Sequence, residues 1–418
     1  MTKIVVFTLG CKVNQYDSDA MLKILRDGGY TVSDTLEWAD LYVVNTCAVT
    51  AEAERKSRQT VTKILKINPN AEIYVCGCAS QRDALQFDRN GVRYVSGTDG
   101  KIALAKGLAE RLTSAKSVTP SDFSISKDFE ENEGVLSLRT RHYIKVQDGC
   151  NNFCSYCIIP YLRGRSRSRS IESILTELDE ATKVAKEVVL TGINLSAYGK
   201  DNGSSLTQLL LAIKDYDVRF RLGSLEVVVV DRDFLEATKA LKAFCPQFHL
   251  SLQSGEDNTL KKMNRHYTTA DYKRAVDLIR EYYPNAAITT DIIVGFPTET
   301  EEQFVASMDF AREIGFSDVH CFPYSSRKGT VAGKMKVLDK HVLDDRAKRM
   351  GEVKKELVST YLNNQIGRPL QVLFETVDED GTWCGHTENY VKVYSKNGEK
   401  NTIKTVVPTG LYLDGLCE

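Results

Sequence analysis

The sequence predicts an α/β chain in three parts: an N-terminal open parallel α/β sheet domain, a central partial (β/α)6 barrel and a small C-terminal β-barrel. Three observations predict it. Short apolar runs alternate with helix-period segments from Lys3 to about Leu112, the same alternation resumes after a polar aperiodic stretch, and the chain past Gly367 is rich in β-formers broken by Gly and Asn. Strands alternating with helices build parallel sheets with helices on their faces. At 418 residues and 42% hydrophobic content the chain is long enough for several cores. A net charge of -1 argues against indiscriminate coating of nucleic acid while leaving room for local basic patches. The opening MTKIVVFTLGCK has too short an apolar stretch for a signal peptide, and no segment approaches the roughly 20 apolar residues of a membrane span. The expected setting is therefore the cytoplasm, with no membrane partner. In that reducing compartment the eleven cysteines are better read as candidate metal ligands than as disulfides.

The N-terminal domain is expected over residues 1–115. Ile4 to Phe7 reads as a buried strand and Ser18 to Asp27 as the following amphipathic helix. Leu41 to Asn45 is the next strand, followed by a polar helix from Ala51 to about Ile67. Glu72 to Cys76 is a third strand, followed by a helix around Gln81 to Asp88, and a fourth begins at Val92. Cys11, Cys47 and Cys78 each fall just past a strand, before the next helix. In a parallel sheet those loops open on one edge, where ligands bind. Three thiols distant in sequence are thereby expected at one rim. The plainer reading is three unrelated buried cysteines acting as small hydrophobes. Cys76 ends its strand and is expected to pack in the sheet.

A linker is expected over residues 116–136, with Pro120 and the acidic run DFEEN, and the central domain over 137–365. RHYIKVQ enters the run DGCNNFCSYCIIP, where Cys150, Cys154 and Cys157 form a CxxxCxxC cluster. Soft thiolates select iron–sulfur clusters or zinc, and a four-iron cubane takes one sulfur ligand per iron. Three ligands leave one iron open to a substrate or cofactor. A zinc site would need a fourth ligand, for which His142 is the nearby candidate. Further strands are expected near Val188, Phe220, Leu250, Ile292 and Val319. That makes six, fewer than the full eight-unit barrel that needs about 250 residues. Directly after the cysteines, Arg163, Arg165, Arg167 and Arg169 form the run RGRSRSR. Their guanidinium groups suit RNA phosphates or a cofactor carboxylate, the alternative being a solvated loop.

Leu343 to Gln365 has helical periodicity and a basic polar face, and leads into the small domain at 366–418. Acidic residues outnumber Lys and Arg there, so phosphate attraction should be weak. Trp383, Tyr390 and Tyr394 could stack on bases or fill the core. Cys76, Cys245, Cys321, Cys384 and Cys417 lack matching partners and are not expected to be ligands.

The motif DGCNNFCSYCIIP looks like that of the radical-SAM superfamily. LGCKVNQYDSD, VVNTCAVT and VCGCASQ are similar to the three N-terminal signatures of its methylthiotransferase family, and the resemblance covers nearly the whole chain. The resemblance implies S-adenosyl-L-methionine on the open iron of a [4Fe-4S] cluster, cleaved by one electron to a 5'-deoxyadenosyl radical. It implies a second [4Fe-4S] cluster on Cys11, Cys47 and Cys78 that carries the transferred sulfur. It places cofactor contacts at strand ends: Gly192 and Asn194 in TGIN, Gln253 and Ser254 in SLQSG, and Gly295 in IIVGFPTE, where Thr298 replaces the usual glycine. The terminal β domain resembles the RNA-binding TRAM domain. LGCKVNQYDSD is most like the branch that methylthiolates carbon 2 of N6-threonylcarbamoyladenosine at position 37, in the tRNA anticodon loop. An electron donor such as flavodoxin or ferredoxin is implied. The alternatives are methylthiolation of isopentenyladenosine in tRNA, of a ribosomal protein aspartate, or a non-catalytic iron–sulfur RNA-binding protein.

Overall fold

The structure, a computed structural model, describes residues 2–110, 117–118, 125–132, 134–135 and 139–418, the pair 117–118 by its backbone. Strands β1 (Lys3–Thr8), β2 (Thr31–Ser33), β3 (Leu41–Thr46), β4 (Glu72–Gly77), β5 (Val92–Val95) and β6 (Ser117–Val118) form a parallel sheet in the order β2-β1-β3-β4-β5-β6. Their apolar runs are continuous because helices cover both faces. Val5, Val44 and Val75 belong to one core, while Ile4, Val6, Val43, Tyr74 and Cys76 belong to the other. The helices are α1 (Lys12–Asp27), α2 (Ala51–Ile67), α3 (Cys78–Arg82) and α4 (Lys101–Ala109). α1 starts earlier than its hydrophobic period predicts. Its first turns bury Asn14, Gln15, Asp17 and Ser18, polar residues that a hydrophobic pattern reads as solvent-facing. Strands β2 and β6 carry no sequence signal, being three and two residues long.

Part of the expected linker 116–136 lies outside the described residues, Pro120 included. Its acidic run is described, and it is tied to the domain although Asp128 and Glu131 stay exposed. Glu131 accepts from Arg169 at 3.1 Å, Asn132 donates to the Tyr16 hydroxyl at 3.0 Å, and Phe129 lies beneath the Lys145 ammonium. The run is drawn in because buried cations wait for it.

Six barrel strands follow: β7 (Arg141–Asp148), with a short antiparallel β8 (Arg167–Ser168) against its end, then β9 (Glu187–Gly192), β10 (Arg219–Leu222), β11 (Gln247–His249), β12 (Ala287–Val294) and β13 (Asp318–Pro323). They form the sheets β10-β9-β7-β8 and β11-β12-β13, and single bridges Phe220–Phe244 and Leu225–Leu250 continue the parallel order between them. The helix Lys340–Asn363 leads to a six-stranded sheet of β14 (Leu370–Val377), β15 (Trp383–Thr387), β16 (Lys392–Ser395), β17 (Ile403–Val406), β18 (Gly410–Tyr412) and β19 (Gly415–Cys417), ordered β17-β14-β15-β16-β19-β18. Val372, Phe374, Val391, Val393, Val406 and Leu416 fill its core.

The chain divides into two compact units. The first joins Met1–Leu138 to Lys145–Arg169 and Arg327–Thr330, so the CxxxCxxC loop packs with the N-terminal sheet. The second joins the remaining barrel to the C-terminal sheet. Within it Arg221 pairs with Glu187 at 2.7 Å and donates to the Thr387 and Glu388 carbonyls, and Arg141 pairs with Glu375 at 2.8 Å. Burial alone would raise the Glu187 carboxyl, but Arg221 outweighs it and holds the acid below its usual range.

Candidate functional site

The contiguous thiols sit in a loop braced from behind. Gly149 has φ +71°, and a Cβ there would stand 2.0 Å from the Arg165 carbonyl oxygen, so only glycine lets the arginine-rich segment close on the loop. The Cys150 amide donates to the Gly164 carbonyl at 3.0 Å, and the Cys157 amide to the Cys154 carbonyl at 2.9 Å, which turns the chain between the last two thiols. The Gln147 amide nitrogen lies 2.7 Å from the Gly149 carbonyl and 2.9 Å from the Ser166 hydroxyl, fixing the loop's entry. Cys154 is buried, while Cys150 and Cys157 are partly open.

The dispersed thiols are brought together by strand register. Thr8 pairs with Asn45 across β1 and β3, and Asn45 with Cys76 across β3 and β4. Two residues on lie Gly10, Cys47 and Cys78, with Cys11 one further, at the cap of α1. Gly10 and Gly77 both have φ +103°. A Cβ on Gly10 would meet the Cys47 sulfur at 2.8 Å, and one on Gly77 the Thr46 carbonyl oxygen at 2.6 Å. Asn14 donates to the Leu9 and Thr46 carbonyls at 2.8 and 3.0 Å, and Asn45 donates to the Asn14 carbonyl at 2.9 Å, tying the three loops to one another. Burial, reinforced by the nearby Cys78 and Cys11, pushes the Cys47 thiol up to about 12.

Arg163 joins the two groups. Its guanidinium donates to both Asp148 carboxylate oxygens at 2.9 Å and to Asn14 Oδ1, and its charge acts on Cys11 and Cys78. Although burial opposes its charge, Asp148 and the thiols outweigh that and raise the guanidinium. Its buried Nε has no hydrogen-bond partner. The Cys47 thiol that burial keeps neutral, beside a fixed cation with an orphaned donor, fits a soft-metal cluster of net negative charge, which would take up thiolates and face the guanidinium. Arg327 lies 2.6 Å from Glu54 and donates to the Ala48 carbonyl next to Cys47.

Three of the four arginines read as RNA-phosphate candidates point inward. Arg163, Arg167 and Arg169 are 1%, 5% and 3% exposed. Arg167 donates to the Ser126 carbonyl at 2.7 Å, and Arg169 to Glu131 and to the Tyr16 hydroxyl at 3.1 Å. The phosphate reading is corrected for these three, because each guanidinium is enclosed by protein partners. Arg165 is exposed and lies over the Phe153 ring at 4.4 Å.

In the second unit, Gly192 ends β9, and Asn194 lies 3.5 Å from Glu226, which pairs with Arg265 at 2.8 Å. That acid, invisible from TGIN because it is 32 positions away, brings a carboxylate beside a segment that has none. Gln253 has φ +72°, and its amide donates to the Asp291 carbonyl at 2.8 Å. The buried Ser254 hydroxyl shares a hydrogen bond with Ser307 at 3.1 Å, so it anchors the loop to the helix Glu301–Ile314. The Gly295 amide donates to Glu299 at 2.7 Å. Thr298 takes φ +75°, the conformation a glycine would hold without strain. His142 lies 3.4 Å from Glu177 and six strand residues before Asp148, about 20 Å at strand rise, so it is no fourth ligand to the cysteine loop. Cys76 and Cys245 are fully buried. Tyr394 is likewise buried, Trp383 packs against the core, and Tyr390 stacks on His386 between Arg141 and Arg221.

Comparison with known proteins agrees with this layout. Residues 144–311 match the model of the radical SAM superfamily, and residues 3–96 that of Uncharacterized protein family UPF0004. The chain is 38% identical to the threonylcarbamoyladenosine tRNA methylthiotransferase MtaB of Thermotoga maritima, over 97% of this chain and 94% of the relative. It is 36% identical to a tRNA-2-methylthio-N(6)-dimethylallyladenosine synthase of Lachnoclostridium phytofermentans, over 97% of this chain and 92% of the relative. In fold it resembles the radical S-adenosylmethionine methyltransferase TsrM from Kitasatospora setae, with a TM-score of 0.56 and 17% identity, covering 80% of this chain and 77% of that one.

Proposed function

The chain belongs to the radical-SAM methylthiotransferase family, and from that premise we propose that it places a methylthio group on carbon 2 of N6-threonylcarbamoyladenosine at position 37 of tRNA. The observation that carries the reading is the end-to-end similarity to a relative named for that substrate. The opening LGCKVNQYDSD favours the same branch. The enzyme is a transferase that uses two [4Fe-4S] clusters and S-adenosyl-L-methionine. When bound, these supply one-electron cleavage chemistry together with the sulfur and methyl groups.

The protein's own residues do the holding. Cys150, Cys154 and Cys157 are proposed to hold the cofactor-binding cluster, and Cys11, Cys47 and Cys78 the second one. Gly149, Gly10 and Gly77 let backbone and sulfur approach closely enough for both sets to form. Buried Cys47 and Cys78 keep water from the second site, while exposed Cys11 leaves it a side open to exchange. Gly192, Asn194, Gln253 and Gly295 are proposed to line the cofactor side, with Glu226 available to accept a bond from an ammonium group. The functional division we propose is 1–115, 137–365 and 366–418. Arg165, over Phe153, is the arginine of the run proposed to meet tRNA. The reaction is proposed to run in the cytoplasm, with its electron from flavodoxin or ferredoxin; among the described residues no helix is long and apolar enough to cross a membrane.

Mass spectrometry of nucleosides from tRNA treated with the reconstituted enzyme tests this. Threonylcarbamoyladenosine tRNA should gain a methylthio group, while tRNA lacking that modification should stay unchanged. Equal conversion of isopentenyladenosine tRNA would move the substrate to the branch of the Lachnoclostridium relative.

A further inference from the structure

On three adjacent strands of the second unit, His249, Asp291 and His320 converge on one face. Asp291 and His320 are register partners across β12 and β13, and His249 pairs with Thr289 across β11 and β12. The face is the one opposite the buried Ile288, Thr290 and Ile292, since side chains alternate along a strand. Their ligating atoms all lie within 4.8 Å of one another. His249 Nε2 stands 3.3 Å from Asp291 Oδ2, and the two imidazoles stack with centroids 5.7 Å apart. Each ring has a polar partner at its Nδ1. That of His249 lies 3.1 Å from the Thr289 hydroxyl, which also accepts from Gln247 at 3.0 Å. That of His320 lies 3.8 Å from Asp318, itself held by Lys354 at 2.9 Å.

We propose that His249, Asp291 and His320 form a binding site for a borderline divalent cation of the zinc class, separate from the six triad cysteines. Two imidazoles and one carboxylate on one side of an ion are a recognised set for such metals, with further positions left for oxygen ligands. The Thr289 hydroxyl on the far nitrogen of His249 orients that ring, as partners do in established histidine sites, while Asp318 faces the far nitrogen of His320 across 3.8 Å. A lone proton between His249 and Asp291 would satisfy that pair, but it would leave the approach of the second imidazole unexplained. His320 is 46% exposed along its side chain, which gives an ion a route in.

The test uses the full-length protein with both iron–sulfur clusters reconstituted, so that the triad thiols are occupied. Zinc chloride is added, excess is removed on a desalting column, and metal is counted by mass spectrometry. About one zinc per chain should be retained, and its X-ray absorption edge should show nitrogen and oxygen scatterers with the outer-shell pattern of imidazole. His320→Ala and His249→Gln should each weaken retention by at least about tenfold, and Thr289→Val by roughly tenfold through the ring it orients. Iron content and circular dichroism report folding, and the exposed His320→Ala decides should His249→Gln misfold. No retained zinc, sulfur scatterers at the zinc edge, or undiminished retention in His320→Ala would overturn the site.

Discussion

The two cysteine groups solve one problem by opposite means. Cys150, Cys154 and Cys157 lie in one short loop, so covalent spacing brings the sulfurs together and the fold has only to brace them. Cys11, Cys47 and Cys78 come from three strand ends, and the register of β1, β3 and β4 does what covalent spacing does in the loop. The contiguous group should therefore survive local damage elsewhere in the sheet, whereas the dispersed group depends on every loop at the rim. Both nevertheless share a device: glycine with positive φ immediately before Cys11, Cys78 and Cys150.

The largest expected effect separates the groups outright. Cys150, Cys154 and Cys157 changed together to Ala should lower iron from about eight to about four per chain and abolish cofactor cleavage. The same change at Cys11, Cys47 and Cys78 should also remove about half the iron, yet spare cleavage and stop sulfur transfer. Iron assay with deoxyadenosine release reads both, and iron unchanged in the second variant would end the case for a dispersed site.

Arg163→Ala should blur the comparison, because that guanidinium touches Asp148 behind one group and Asn14 beside the other. Leaving buried Asp148 with Lys145, 3.5 Å away, in place of its bidentate partner should cost about 3 kcal/mol by denaturant unfolding. Loss of iron from one group alone would show that the guanidinium serves only that side.

Single glycine changes sharpen the contrast. Gly149→Ala should deplete the cleavage cluster and Gly77→Ala the other, each destabilising the fold by about 1–3 kcal/mol or more from the strained conformation alone. Iron-specific resonance spectra of the two variants should be complementary. The smallest effect is a control in the second unit: Thr298→Gly should relieve a left-handed residue, raising stability by up to about 1 kcal/mol with iron content unchanged.

Much of the molecule is legible in the amino-acid sequence. The alternation of strands and helices, the loop cysteines, the six barrel strands and the helix before the terminal sheet follow from apolar periodicity, which reports burial directly. The start of α1 is hidden because its buried face is polar. The arginine run misleads for a related reason: charge composition says nothing about which way a side chain turns once acids from distant segments can pair with it. Glu131 and Asp148 draw in Arg169 and Arg163, and only Arg165 stays outside.

By itself the sequence determined whatever depends on near neighbours along the chain: the spacing of Cys150, Cys154 and Cys157, the strand ends that carry the other three thiols, and the glycines that precede them. Tertiary structure alone decided that Arg163 would stand between the two groups, that Glu226 would reach Asn194, and that His249, Asp291 and His320 would meet. Those meetings depend on strand register and on paired charges leaving water together, and neither is written in any local stretch of residues.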